Sequence, residues 1–227
     1  MSGRPDFTRK AHMDHSAAKY YPTEVLDFWF PDDGFWKSRE AFGAWIFHRM
    51  QGGVDKDICD RFEDLTTAAA KGLLDDWAST PRGRLALLIA LDQFPRSLWR
   101  DTPGAFAQDL KAARLAIEGI ENGHIETLQP WERLFFAIAL GHCEGPDHIM
   151  RLDLIDKVTE GIIADMPPEL EVLGDQLRTQ NQRVRSIIER YGRHPHRNPI
   201  YGRVSTPAEE AYIATGDFPH VHEKPPS

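Results

Sequence analysis

The side chains best suited to chemistry are concentrated in one segment near the end of the chain, between Tyr191 and Val204. An arginine's planar guanidinium can donate two parallel hydrogen bonds to one carboxylate or phosphate. The whole chain has a formal net charge of −8, so a dense cationic segment within it favours an anion-binding site. The residues concerned are Arg193, His194, His196, Arg197, Asn198 and Arg203.

A helix is predicted to begin directly after this segment. Thr206 and Glu209 have the spacing of a capping box, in which each side chain accepts a hydrogen bond from the other residue's amide. The free amides and positive dipole at a helix start favour an anion there. The alternative is structural, with the arginines pairing with Asp92 and Glu144 to hold helices together. Both hypotheses predict contact between the same clusters.

Two more polar clusters each follow an apolar run. DQFPR (92–96) follows LALLIAL, and HCE (142–144) follows LFFAIAL. A helix dipole disfavours a carboxylate at the C-terminal end, so Asp92 should have a cation nearby, and Arg96 lies one turn further on.

Acid–base chemistry could come from the same clusters. His142 or His196 would be the base, and Asp92 or Glu144 would set its tautomer. A metal could use His142, Glu144 and the two loop histidines, but neighbouring arginines oppose a cation, and the sequence has no HExxH pair. No metal or cofactor is therefore predicted. Cys143 is disfavoured as a nucleophile because its neighbour His142 points elsewhere on a helix.

The rest of the chain predicts helices throughout. Proline and Ser/Thr starts, glycine ends and apolar periodicity recur, whereas the sequence has no alternating β-branched runs and no Asn-Gly hairpin turn between such runs. We expect an all-α domain over residues 20–218, an antiparallel array of eight or nine helices, with mobile segments at 1–19 and 219–227. The aromatic run FWF (28–30) is expected in the core, although a tryptophan that walls a pocket could hold an arginine.

The helix order predicts where the polar clusters lie. LALLIAL and LFFAIAL have no polar face, which is typical of buried helices. In an up-and-down array, helices separated by one other helix point the same way. The two buried helices and the helix over about 168–190 should therefore end at the same pole, where all three polar clusters would meet.

Composition excludes several classes of protein. Cys59 and Cys143 are far apart, so no disulfide framework is expected. The sequence has no apolar run near the roughly 18 residues of a membrane span and no apparent signal peptide, so we expect a cytoplasmic protein that binds no membrane. The acidic balance argues against nucleic acid as a partner. GxSxG, Walker and GxGxxG motifs are absent from the sequence.

Four motifs in order resemble a known bacterial family: VLDFWF, LDQFPRSLWR, GHCE and YGRHPHRNPIYGRVSTPAEE. This combination is similar to domain of unknown function 924, over roughly 20–218. The resemblance implies a helical fold similar to tetratricopeptide repeats and implies no activity. The family pattern has Asn where this chain has Ser97, and Ser where it has Cys143, so the resemblance assigns no role to those two positions.

These observations predict a polar pocket at one pole that binds a small anion, a phosphate or carboxylate. Two alternatives use the same pocket: a hydrolase-type enzyme, or a scaffold that holds the carboxylate of a peptide terminus. The candidate catalytic residues are His142, Glu144, His196 and Asp92. The candidate ligand-binding residues are Gln93, Arg96, Arg193, His194, Arg197, Asn198 and Arg203.

Overall fold

The computed structural model describes residues 19–219, and all regular secondary structure in this range is helical, as predicted. The predicted mobility of 1–19 and 219–227 concerns mainly 1–18 and 220–227, which lie outside the described residues. The helices are α1 (Pro22–Trp29), α2 (Arg39–Met50), α3 (Asp55–Arg61), α4 (Glu63–Ala70), α5 (Pro81–Asp92), α6 (Phe94–Leu98), α7 (Asp109–Glu121), α8 (Pro130–His142), α9 (His148–Asp165), α10 (Leu173–Tyr191), α11 (Asn198–Tyr201) and α12 (Pro207–Thr215).

The described helices outnumber the eight or nine predicted, and the prediction was wrong for a local reason. The sequence predicts one helix over about 55–71, ended by Gly72, but Phe62 leaves helical geometry and divides it into α3 and α4. The sequence predicts that the helix beginning at Pro81 ends by Pro95, and α5 does end at Asp92. Pro95 also lies in the first turn of a further helix, α6, which was not predicted. Proline fits there because first-turn amides have no partner inside the helix.

The central element is α5, which the prediction placed in the core. Residues 85–91 have no exposed surface, and α1, α4, α7 and α8 pack around them. Thr80 caps the helix by accepting a hydrogen bond from the amide of Gly83 at 3.1 Å. None of the helices within residues 19–219 has the length and apolar character that a membrane span requires.

The helix α8 is buried over most of its surface, and none of its residues is exposed. Phe135, Phe136 and Leu140 have no exposed surface, whereas Ala137 and Ile138 are partly exposed. The prediction that this helix is buried is therefore confirmed for most of its residues. Ala137 and Ile138 face cavities instead of a neighbouring helix.

The ends of α5, α8 and α10 meet at one pole, which confirms the prediction from helix order. His142, the last residue of α8, places Nδ1 2.9 Å from Oδ1 of Asp92, the last residue of α5. The segment after α10 reaches the same region, where the amide of His194 donates to Oε1 of Glu144 at 2.7 Å.

Candidate functional site

A cavity of about 450 Å³ opens at this pole. It lies between the last turn of α2, the helix α6, the end of α8 and the turn that precedes α11. Five predicted residues are in its wall: Gln93, Arg96, His142, His196 and Arg197. The wall also includes Trp29, Arg49, Met50, Gln51, Asp55, Ser97, Arg100, Asp101, Ala105, Phe106, Ile138, Gln180, Ile200 and Phe218.

Behind the wall, Asp92 and His142 form a buried pair. Nδ1 of His142 lies 2.9 and 3.1 Å from the two oxygens of Asp92, which has no exposed surface. Burial, followed by the charges of Arg96 and Arg197, lowers the pKa of His142 well below its ordinary value. The ring is therefore neutral at pH 7, and donation from Nδ1 to the carboxylate makes Nε2 the acceptor nitrogen.

A second carboxylate, Asp109, joins two arginines of the cavity wall. Its Oδ1 accepts from Arg96 at 2.8 Å, and its Oδ2 accepts from Arg197 at 3.2 Å. Arg197 also donates to the carbonyl oxygen of His142 at 2.8 Å. Asp109 lies in the first turn of α7, where the helix dipole favours a carboxylate.

Arg49 extends from α2 into the cavity wall and differs from the other cations. It donates to the carbonyl oxygens of Trp29 at 2.7 Å, Phe28 at 3.2 Å and Trp45 at 3.4 Å. Its guanidinium also lies over the rings of Trp29 and Trp45. Burial lowers the pKa of Arg49 to about 10, so it remains charged at pH 7.

Each of the other arginines in the wall has a carboxylate partner. Arg100 pairs with Asp55 at 2.5 Å, and Arg96 and Arg197 share Asp109. Within residues 19–219, Arg49 has no ion pair with a carboxylate. Nε of Arg197 and Nδ1 of His196 are buried and have no hydrogen-bond partner among the same residues.

The other predicted residues do not line this cavity. Arg203 pairs with Glu144 at 2.6 Å, and Asn198 donates to Ser205 at 2.9 Å. Burial favours a higher pKa for Glu144, but hydrogen bonds from Arg203 and the amide of His194 lower it overall. The ring of His194 is buried with Nε2 3.1 Å from the carbonyl oxygen of Gly141.

The capping box at the start of α12 forms as predicted. Thr206 accepts from the amide of Glu209 at 3.3 Å, and Glu209 accepts from the amide of Thr206 at 2.8 Å. Arg193 donates to Glu209 at 2.7 and 2.9 Å, and this bond lowers the pKa of Glu209 to about 2. Glu209 itself is thus the anion at this helix start.

The described residues do not assemble a metal site. Within 19–219, no three His, Cys, Asp or Glu side chains are grouped so that they could hold an ion. Cys143 is buried outside the cavity wall, and burial raises the pKa of its thiol.

Sequence reasoning missed Arg49, Arg100 and Asp109. Arg49 stands alone among aromatic residues near the end of a helix, where no cluster of charges marks it. A signal was nevertheless present, because a tryptophan near a pocket can hold an arginine. Asp109 was overlooked because Thr102 and Pro103 predict a helix start there, whereas 103–106 form a 3-10 turn and α7 begins at Asp109.

Comparisons with known proteins agree with the helical fold, and the descriptions of the matching proteins name no activity. A family described as "bacterial protein of unknown function (DUF924)" matches residues 25–217. A solved structure of a protein of unknown function, ATU0120 from Agrobacterium tumefaciens, is 31% identical, with a TM-score of 0.65. That similarity covers 86% of this chain and 97% of the other. No match was found among curated proteins.

Proposed function

The chain belongs to the bacterial DUF924 family, whose description names no activity, and from the site itself we propose that it binds a small organic anion in the cavity of about 450 Å³. The ligand-binding residues of this proposal are Arg49, Arg96, His196 and Arg197, with Gln93 and His142 beside them.

The observation that carries the proposal is Arg49. A guanidinium has five N–H donors, and the three hydrogen bonds to backbone carbonyls leave two donors for a ligand. Arg49 is also the arginine of the wall that has no ion pair with a carboxylate within residues 19–219, although the more distant charge of Asp33 acts on it. A carboxylate or phosphate at this position would supply a close counter-charge.

A structural role for the arginines is the competing explanation. Helix C-termini carry partial negative charge, and these arginines bond the backbone there: Arg49 at the end of α1 and Arg197 at the end of α8. Capping of this kind needs only some of the donors of each guanidinium. The two explanations differ in one measurable respect, which is whether an added anion stabilises the protein through Arg49.

The test compares ligand-induced stabilisation in wild type and in Arg49→Gln. A thermal-shift titration would use sodium phosphate, acetate, succinate and octanoate as separate probes at constant ionic strength. A ligand at about 100 times its dissociation constant adds about 2.7 kcal/mol to the free energy of unfolding. We expect this increment in wild type and its loss in Arg49→Gln, because the charge and both spare donors are removed.

A matched control is Arg190→Gln. Arg190 is exposed, lies over the ring of Tyr191 and is outside the cavity wall. This control should keep the full increment. The comparison uses the increment and not the starting stability, since Arg49→Gln also removes three hydrogen bonds. If no probe stabilises the wild-type protein, the proposal is wrong and the arginines only cap helix ends.

The Asp92–His142 pair favours a second candidate, a hydrolase-type enzyme. A buried carboxylate that fixes the tautomer of a neutral histidine is the arrangement of a general base, and His142 lies in the cavity wall. If the protein is an enzyme, a bound carboxylic ester and one water molecule should be converted to acid and alcohol by wild type and not by His142→Gln. Mass spectrometry of the ligand after incubation measures this directly.

A peptide-binding scaffold, the other alternative, fits this cavity less well than a small-molecule site does. A cavity with walls from several helices suits a small molecule better than the open groove that a peptide scaffold needs. An arrangement similar to tetratricopeptide repeats and a cytoplasmic location remain predictions. So do any ligand roles of Glu144, Arg193, His194, Asn198 and Arg203, whose present contacts are ion pairs and hydrogen bonds within the fold.

A further inference from the structure

A second cavity of about 270 Å³ adjoins the first. The two share three wall residues, Met50, Ile138 and Gln180. Its wall has no charged side chain among the described residues and is mostly aliphatic. For comparison, an engineered apolar cavity of about 150 Å³ accepts benzene, so this one has room for an alkyl chain.

Two helices, α2 and α8, pass from the apolar cavity to the polar one in the same direction. On α2, Phe42 and Ile46 line the apolar cavity, Met50 lines both, and Arg49 lines the polar one. Residues four apart lie on one face of a helix, so 42, 46 and 50 form a continuous strip.

The same order recurs on α8. Leu134 lines the apolar cavity, Ile138 lines both, and His142 lines the polar one, again at intervals of four residues. On α10, Gln180 lines both cavities, and Leu177 and Val184 on either side of it line only the apolar one. Along α2 and α8, the wall therefore changes from apolar to polar in the same direction.

We propose that the two cavities form one site for an amphipathic ligand, an unbranched aliphatic carboxylate. Its head would lie against Arg49 in the polar cavity, and its chain would extend past Met50 and Ile138 into the apolar cavity. This inference rests on the anion site proposed above and adds the chemical class of the ligand. A flexible methionine at the junction suits a chain of variable length.

A chain-length series tests the inference by calorimetric titration. The probes are sodium acetate, butanoate, hexanoate, octanoate and decanoate, each below its micelle concentration. Burial of one methylene contributes about 0.8 kcal/mol, so each added methylene should lower the dissociation constant about fourfold until the apolar cavity is full. Octanol, which has the chain without the charge, should bind much more weakly than octanoate, and Arg49→Gln should remove that preference.

A glycine in the apolar wall, Gly43, is the position for a variant that tests whether the ligand's chain lies in this cavity. A Cβ atom built on Gly43 meets no heavy atom within 4 Å, so Gly43→Leu should fill part of the apolar cavity without a clash in the fold. Gly161 of α9 is also open within 4 Å and lies outside both cavity walls, so Gly161→Leu is the matched control. We expect Gly43→Leu to bind acetate normally and to lose the gain with chain length, and Gly161→Leu to behave as wild type.

The outcomes separate the two proposals. Equal binding of all chain lengths would overturn the amphipathic ligand and leave the anion site intact. A chain-length gain that is unchanged in Gly43→Leu would overturn the assignment to this cavity. Equal binding of octanol and octanoate would overturn the charged head, and no binding of any carboxylate would overturn both proposals for this ligand class.

Discussion

Three imidazole rings lie in a row beside the cavity. The ring centres of His148 and His194 are 5.4 Å apart, and those of His194 and His196 are 5.5 Å apart. Burial, followed by the charge of Arg151, lowers the pKa of His148 to about 4. Burial and the charge of Arg197 likewise lower the pKa of His196 to about 4. These two rings are therefore neutral at pH 7.

This row of histidines predicts how stability depends on pH. An unfolded histidine binds its proton near pH 6.5, whereas the folded His148 binds it only near pH 4. Unfolding therefore takes up protons between these values, so the stabilisation is fully present above about pH 6.5 and is lost as the pH falls toward 4. Each such histidine contributes at most about 1.4 kcal/mol per pH unit to the slope.

The variant His148→Gln isolates one of these contributions. Urea unfolding between pH 4 and 7 should give a smaller slope of the free energy of unfolding against pH than in wild type. The difference should be up to about 1.4 kcal/mol per pH unit, which corresponds to one proton. His48 is exposed, so His48→Gln serves as the control and should keep the wild-type slope. Identical slopes in all three proteins would contradict the assignment.

Ten of the twelve residues of α5 are buried, and its last residue places the Asp92 carboxylate. Leu88 is fully buried near its middle, and Leu73, outside the core, is 55% exposed. Leu88→Ala should lower the free energy of unfolding by about 2–5 kcal/mol, because it removes buried methyl groups and leaves a cavity. Leu73→Ala should change it by less than about 0.5 kcal/mol. Denaturant unfolding measures both, and a small loss for Leu88→Ala would contradict the central place of α5.

The sequence predicts helices well where periodicity and end signals agree. Thr80 and Pro81 mark the start of α5, and the capping box at Thr206 marks the start of α12. The division at Phe62 escaped prediction because no proline or glycine marks it, and the backbone there follows from tertiary packing. Pro95 correctly marks the end of α5, but the start of α6 was missed because proline also fits the first turn of a helix.

At the scale of the whole molecule, the Asp109 carboxylate joins parts of the chain that are distant in sequence. This carboxylate connects α7 to Arg96 of α6 and to Arg197 of the turn before α11. Helix order predicts which ends share a pole, because direction alternates along the array. It does not predict which neighbours face each other across that pole, and for this reason Arg49 and Asp109 were missed while Asp92, Arg96 and His142 were found.

Replacement of Asp109 tests this connection. Asp109→Asn should lower the free energy of unfolding by about 3–5 kcal/mol, because two largely buried guanidiniums lose their shared counter-charge. Asp153 pairs with Arg185 at the surface, so Asp153→Asn should cost less than about 1 kcal/mol. Equal and small losses in the two variants, measured by urea unfolding, would contradict a structural role for the buried pair.

The most direct measurement is a nuclear magnetic resonance titration that follows the Nε–H signals of the arginines as sodium octanoate is added. The signal of Arg49 is assigned by its absence in Arg49→Lys, and Arg190 is the internal reference. We expect a saturable shift of the Arg49 signal and no shift of the Arg190 signal. A stationary Arg49 signal, or parallel unsaturable shifts of both signals, would contradict the anion site.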